Sequence, residues 1–326
     1  MVYVVFLLAA ALTVFAAMKL SKYADVISEK TAMGGMLVGT VLLAAATSLP
    51  EVTTSFSAVV IGNIDIAIGN MLGSNLFNLL ILAVFDLFYR RKKLYHLASS
   101  SHLYSALLGL FLMLMVALAL VLRIDYTILG IGVDSLLVLV VYLIGMLVIS
   151  RLPSAPQESD DEETDKEIKT TSVRHAVIGF IIAAVGIMAV GTVLSVTGDR
   201  IAVITGMGSS FVGSFLIAAT TSLPEAVSVF AALRLKNVNL AIGSILGSNM
   251  FNMVILAVSD AVYQEGSILT DVANSHIYTA IGITALSLVL IWALMRKQSL
   301  SSWTYNIPSV VTVIGYFVVS YLIFIS

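Results

Sequence analysis

The 326-residue sequence is 59% hydrophobic and only 11% charged, whereas a water-soluble domain carries about one quarter charged residues, so a water-soluble globular fold is excluded. Its net charge of −2 is too small to imply a nucleic acid or any other highly charged partner. The absence of cysteine removes disulfide frameworks, thiolate metal sites and thiol nucleophiles.

Apolar stretches recur along the whole chain, each long enough to cross roughly 30 Å of hydrocarbon as a helix. The first is expected at 2–20, and with no basic region before it the segment reads as a retained helix, not a cleaved leader. Further spans are expected at 34–60, 64–89, 98–122 and 126–150. Residues 151–173 break the pattern with Pro153, Pro156 and the acidic run Glu158, Asp160, Asp161, Glu162 and Glu163. This composition reads as a solvated linker. A regulatory calcium site is the alternative there, although the run lacks the glycine and spaced ligands of a structured calcium loop. Spans resume at 174–197, 205–232, 238–263, 273–295 and 305–325. The expected fold class is an all-α membrane protein of ten transmembrane helices. Its division is a first transmembrane unit at 1–150, a cytoplasmic linker at 151–173 and a second unit at 174–326.

Cytoplasmic loops of membrane proteins hold the excess of Lys and Arg. With both termini outside, the cytoplasmic side collects fifteen of the 17 basic residues. Only Arg123 and Arg200 remain outside, which favours the N-out, C-out orientation.

The two units are copies. Shifted by 174 residues, ATSLPE at 46–51 meets TTSLPE at 220–225, and NIDIAIGNMLGSNLFN at 63–78 meets NVNLAIGSILGSNMFN at 237–252. ILAV at 81–84 meets ILAV at 255–258, Asp86 falls on Asp260, and SHLY at 101–104 falls on SHIY at 275–278. Five spans separate equivalent points, so the second copy enters the membrane from the opposite side. Inverted five-helix repeats of this kind build many secondary transporters. The Gly69/Gly73 and Gly243/Gly247 pairs suit close helix packing.

Packing does not explain Glu51 and Glu225. Each lies mid-span, where an ionised carboxylate is costly unless it meets a partner or a wet cavity, and neither has a basic residue nearby in sequence. A bound cation would supply the missing positive charge, the alternative being a pair of protonated structural acids. Pro50 and Pro224 cannot donate a helical hydrogen bond, which is expected to free carbonyls in the turns 44–47 and 218–221. Ser48 and Glu51 are spaced i, i+3, as are Ser222 and Glu225; Ser74 and Asn78 are spaced i, i+4, as are Ser248 and Asn252. Each pair shares a helix face. Such oxygens suit a hard cation, Ca²⁺ taking six to eight of them.

The paired TSLPE and GSN-x-F-N segments resemble the two α-repeats of the sodium/calcium exchanger superfamily, and the resemblance covers nearly the whole chain. It implies a Ca²⁺ site formed by Glu51, Glu225 and the carbonyls of Thr47 and Thr221. It further implies Na⁺ sites completed by Ser48, Ser74, Ser222, Ser248 and the carbonyls of Ala44 and Ala218, with Asn78 and Asn252 in the same centre. Ca²⁺ and Na⁺ would be transported ions, with no organic cofactor. Alternating access would come from sliding of the first helix of each repeat, 2–20 and 174–197, across a rigid core. Typical members carry Asp at the position of Asn252, whereas both copies here carry Asn. Two carboxylates match one Ca²⁺ or two monovalent ions, so exchange is expected nearer to electroneutrality, or with H⁺ as counter-ion.

His102 and His276 lie near span ends, where they read as interfacial anchors, with pH sensing as the alternative. Asp86 and Asp260 read as helix-terminal and solvated, and Asp134 as a residue within the fifth span that faces a core partner. A channel would need a similar site, but inverted repeats with broken helices point to a carrier. H-E-x-x-H and G-x-S-x-G are both absent, so no enzyme is expected. The expected setting is a prokaryotic plasma membrane, with lipid and transported cations as partners, no nucleic acid and a monomeric state.

Overall fold

The computed structural model describes residues 1–30, 47–89, 93–151, 172–234, 236–296 and 301–326. Ala44, the first part of the expected 34–60 span and most of the acidic linker lie outside the described residues. The described chain is helical except for one short hairpin. Its long helices are α1 (Val2–Lys30), α2 (Leu49–Val60), α3 (Ile64–Phe88), then the one-turn α4 (Leu94–Leu97), α5 (His102–Leu122) and α6 (Val133–Ser150). The second unit has α7 (Val173–Thr205), the short α8 (Ser209–Phe211), a π-helix at Val212–Ile217, α9 (Ala218–Thr221), α10 (Leu223–Arg234), α11 (Val238–Val262), the one-turn α12 (Ile268–Asp271), α13 (Ser275–Met295) and α14 (Ser302–Ile325). Among the described residues nine segments are long and apolar enough to cross a membrane, and α2 is the described end of the tenth expected span.

The repeat written in the sequence recurs in the helices. α2 and α10, α3 and α11, and α4 and α12 each begin and end 174 residues apart. The equivalent residues Asn63 and Asn237 cap α3 and α11, their side-chain oxygens accepting from Ile66 N–H at 3.1 Å and Leu240 N–H at 2.9 Å. A side-chain acceptor at this position satisfies one of the unpaired amides of a first helical turn.

The core is formed by α3 and α11 with α5, α13 and α14 around them. α3 and α11 cross where Asn75 meets its own equivalent, Asn249: Asn75 Nδ2 donates to the Asn249 carbonyl at 3.1 Å and Asn249 Nδ2 to the Asn75 carbonyl at 3.5 Å. Reciprocal bonds between equivalent residues put the pseudo-two-fold axis of the inverted repeats at this crossing. α3 also presses on the broken helix of the other repeat, with Gly69 and Gly73 against Ser210, Gly213 and Ser214. A Cβ on Gly73 would collide with Ser214 backbone, so side-chain absence sets this approach.

Outside this core, α1 and α7 run against each other through a seam of Ala17, Leu20, Ala24 and Ile187, with Phe180, Ala183 and Ala184 packed beside them. Their other faces carry exposed Leu7, Leu8, Leu12, Ile178, Ile181 and Ile182, the expected lipid contact. α7 reaches α2 through polar contacts: Gly191 abuts Thr53, Thr192 and Ser57 hydroxyls are 2.9 Å apart, and Ser195 Oγ donates to the Thr54 carbonyl at 2.5 Å. At the end of this seam Asn63 Nδ2 donates to Asp199 Oδ1 at 2.6 Å.

Three sequence expectations are corrected. The fifth span starts at Val133, because Thr127–Ile128 (β1) and Ile131–Gly132 (β2) pair antiparallel around Leu129 and Gly130, both with positive φ. A two-residue turn of this kind matches strand twist, and it leaves Asp134 in the first helical turn, accepting from the Ser267 hydroxyl at 3.1 Å. Asp86 and Asp260 are fully buried, not solvated. Asp86 accepts from Tyr305 and, at 2.5 Å, from Ser309; Asp260 accepts the backbone N–H groups of Gly132 and Ile268, both at 2.7 Å. Hydrogen bonds replace the water each charge gives up. The histidines tie the repeats together instead of facing lipid. Asp65 Oδ1 accepts from Ala273 N–H at 2.8 Å and lies 2.9 Å from His276 Nε2. Equivalently, Asn239 Oδ1 accepts from Ser99 N–H at 2.8 Å and lies 3.3 Å from His102 Nε2.

Candidate functional site

The TSLPE segments form a helix break of the same geometry in both repeats. Ser48 has φ −89°, ψ 4° and Ser222 has φ −90°, ψ 3°, in the sparsely populated bridge region common at functional sites. Pro50 and Pro224 sit in the first turn of the helix that follows, a position that spares the missing N–H. Glu51 and Glu225 come next, 1% and 2% exposed. In the second repeat the break is preceded by the π-helix, a distortion that often marks functional positions.

The break does not free every carbonyl expected from the prolines. The Ala218 carbonyl accepts from Ser222 N–H at 3.0 Å, and the Thr221 hydroxyl stands 3.3 Å from it. The reason is that Ser222, not Pro224, is the residue four positions on, and its N–H is intact.

The repeats interlock at the glutamates. Ser222 Oγ donates across the axis to Glu51 Oε1 at 3.3 Å, and the Glu51 carboxylate lies within the electrostatic reach of Glu225. The Ser248 hydroxyl stands beside the Glu225 carboxylate. The Thr221 hydroxyl is 3.1 Å from Asn70 Oδ1 and 3.5 Å from Ser74 Oγ, while Asn70 Nδ2 donates to Ser55 Oγ at 3.0 Å. Thr47 and Ser48 are buried at the equivalent break. Of the candidates named from sequence, Glu51, Glu225, Thr221, Ser222, Ser74 and Ser248 are thus brought together directly, with Asn78 and Asn252 one turn beyond the serines on the same two helices.

The acceptor inventory is unusual for a protein interior. Glu51 Oε2, Glu225 Oε2, Asn78 Oδ1, Asn252 Oδ1 and the hydroxyls of Ser48 and Ser214 are buried without a hydrogen-bond partner. Buried polar atoms are normally paired, so each such orphan calls for a reason. Among the described residues no Lys, Arg or His forms an ion pair with either glutamate, and no group of three or more His, Cys, Asp or Glu side chains clusters. The set is two carboxylates amid neutral oxygens, the donor chemistry of a hard cation.

Sequence reasoning passed over Asn70, Asn75 and Asn249. For the last two the signal was present, since both belong to the repeated GSN-x-F-N segment. Behind their crossing is a small cavity of about 20 Å³, also lined by Ser105 and Ser287, room for about one water molecule.

The family model for the sodium/calcium exchanger protein matches residues 1–151 and 175–326. The chain belongs to the sodium/calcium exchanger family. This is a family of membrane transporters, not enzymes, and the two matched stretches fall on the two copies of the repeat. Among its relatives, the inner membrane protein YrbG of Escherichia coli K12 is 24% identical over 284 residues, covering 86% of this chain and 85% of that protein. A putative antiporter, CaxA of Alkalimonas amylolytica, is 24% identical over 278 residues and 82% of each chain. The exchanger fold is shared with two solved structures. The H⁺/Ca²⁺ exchanger CAX superposes with a TM-score of 0.75 at 13% identity, covering 99% of this chain and 86% of that one. The sodium-calcium exchanger NCX_Mj superposes with a TM-score of 0.59 at 20% identity, covering 98% of both chains.

Proposed function

We propose that this family member exchanges Ca²⁺ for Na⁺ across a prokaryotic plasma membrane, with both termini outside, by alternating access to one site between the repeats. The observation that carries the reading is the pair of buried carboxylates, Glu51 and Glu225, each with an unpartnered oxygen, lying within electrostatic reach across the pseudo-two-fold axis with no basic partner among the described residues. A divalent cation neutralises the pair and gives the orphaned oxygens a common ligand. Glu51 and Glu225 hold the Ca²⁺ with the carbonyls of Thr47 and Thr221; Ser48, Ser74, Ser222 and Ser248 take part in Na⁺ binding. The neutral Asn78 and Asn252 complete the centre. One chain contains both halves of the site, so a monomer suffices.

Two carboxylates balance one Ca²⁺ or two Na⁺, and a third Na⁺ would go uncompensated in a low-dielectric site. The expected exchange is therefore close to electroneutral. α1 and α7 are the moving pair, since they lie outside the core and the contact of α7 with α2 is a run of hydroxyls that can be exchanged for one another during sliding. The same two carboxylates favour a second reading, H⁺ as the counter-ion, because each can carry one proton.

Uptake of ⁴⁵Ca²⁺ into proteoliposomes loaded with Na⁺, or held at a pH gradient without Na⁺, separates the two drivers. Glu51→Gln and Glu225→Gln are each expected to abolish uptake under either driver. Uptake retained by both variants refutes the site, and a strong voltage-driven, Na⁺-dependent Ca²⁺ current refutes the charge balance.

A further inference from the structure

Asn78 and Asn252 are amides, with an oxygen on one prong and a donor NH₂ on the other. Turned one way, such a side chain offers a cation a ligand; turned the other way, it offers two N–H protons. The orientation therefore decides whether these positions help or oppose a bound metal ion.

The bonds at the helix crossing fix that orientation. Asn78 Nδ2 donates to Asn249 Oδ1 at 2.9 Å, and Asn252 Nδ2 donates to Asn75 Oδ1 at 2.9 Å. Asn75 and Asn249 are themselves locked, each amide donating to the other's backbone carbonyl. With one N–H of each NH₂ group engaged, Asn78 and Asn252 keep free buried oxygens. These oxygens lie one turn from Ser74 and Ser248, which stand beside Thr221 and Glu225, on the face a helix shares between i and i+4. All four asparagines are at most 9% exposed.

We infer that Asn75 and Asn249 are positioning residues for cation binding: each holds the amide of the opposite repeat's Asn252 or Asn78 with its oxygen toward the ion. The inference rests on the central cation site proposed above. It gives the two asparagines of the GSN-x-F-N segment separate tasks, the second facing the ion and the first aligning its counterpart in the other repeat. Because the alignment runs across the axis, both halves of the site are set by one four-residue network.

The test is a double-mutant cycle read as half-saturating Ca²⁺ and maximal rate of ⁴⁵Ca²⁺ uptake in proteoliposomes. Asn75→Leu removes the acceptor that holds Asn252, and outer partners of metal ligands are worth about 10- to 100-fold in affinity, so half-saturating Ca²⁺ is expected to rise about tenfold or more. In an Asn252→Asp background both prongs at position 252 are oxygens and orientation no longer matters, so adding Asn75→Leu is expected to change half-saturation less than about threefold. An equal loss in both backgrounds, or a fall in maximal rate alone, would overturn the inference. Should Asn75→Leu not purify as a monodisperse protein, Asn249→Leu with Asn78→Asp runs the same cycle through the other repeat. Glu51→Gln measured alongside separates the two failures: if it transports normally, the cation site itself is wrong.

Discussion

Replacing Asp260 tests the claim that the acids at the ends of the core helices are structural fasteners. Its carboxylate is fully buried and accepts the N–H groups of Gly132 and Ile268, each at 2.7 Å. Hydrogen bonds to a charged partner contribute about 1.5–3 kcal/mol each, so Asp260→Ala gives up about 3–6 kcal/mol and strands two backbone donors next to the β1–β2 hairpin. Release of the repulsion between Asp260 and Asp134 returns a part of this, roughly 1 kcal/mol, leaving a net loss of about 2–5 kcal/mol. In a protein of this size such a loss lowers the apparent midpoint by on the order of 10 °C. The assay is size-exclusion chromatography of detergent-solubilised protein after heating, which reports a kinetic midpoint. Asp260→Asn keeps one acceptor and should fall between wild type and Asp260→Ala. A midpoint for Asp260→Ala within about 2 °C of wild type, the range of an ordinary surface substitution, would refute the reasoning.

Gly73→Ala places a methyl group on Ser214 backbone that cannot yield; it should destabilise by about 1–3 kcal/mol and lower transport, checked by the same melting assay and by ⁴⁵Ca²⁺ uptake. Gly191→Val drives a branched side chain into Thr53, at the contact proposed to slide, so uptake should fall at least tenfold while equilibrium Ca²⁺ binding by calorimetry is retained; loss of both would indicate misfolding instead. Asn252→Asp adds a third carboxylate to the centre and should make Na⁺-driven Ca²⁺ uptake respond to a valinomycin-imposed potential, and an unchanged response would count against the charge balance. His96, beside Tyr305 on the one-turn helix α4, is held below its usual pKa by burial and by the nearby Lys93 and Arg296. A lowered histidine pKa means the folded state disfavours the proton, so stability is lost as pH falls through the ordinary value near 6.5. His96→Gln should therefore melt closer to its neutral-pH midpoint at pH 5 than wild type does.

The features legible in the sequence were those carried by one residue type at one position. Hydropathy located the spans because lipid solvates side chains one at a time, and the 174-residue shift exposed the repeat because residues 46–51 and 220–225 still share TSLPE. Glu51 and Glu225 stood out because an acid in an apolar run is conspicuous without knowledge of its surroundings. What stayed hidden depends on distant partners. Asp86 looked solvated because its hydroxyl donors, Tyr305 and Ser309, come from α14 at the far end of the chain. The histidines looked like interfacial anchors because Asp65 and Asn239, which hold them, are contributed by the opposite repeat. The Ala218 carbonyl looked free because the proline rule was applied to the whole turn, while only the carbonyl four residues before Pro224 loses its donor. Asn75 and Asn249 were overlooked because an asparagine in a small-residue helix is unremarkable until its mate is seen across the axis.

The encounter of Asn75 with Asn249 bears on the history of the gene. After a duplication, two copies ordinarily drift apart, each free to accept changes that the other never sees. A residue that touches its own twin lacks that freedom, because a change in one copy removes a partner from the other. Substitutions at 75 and 249 should accordingly be inherited as matched pairs, and lineages with one asparagine altered should show a compensating change at the other or at 78 and 252.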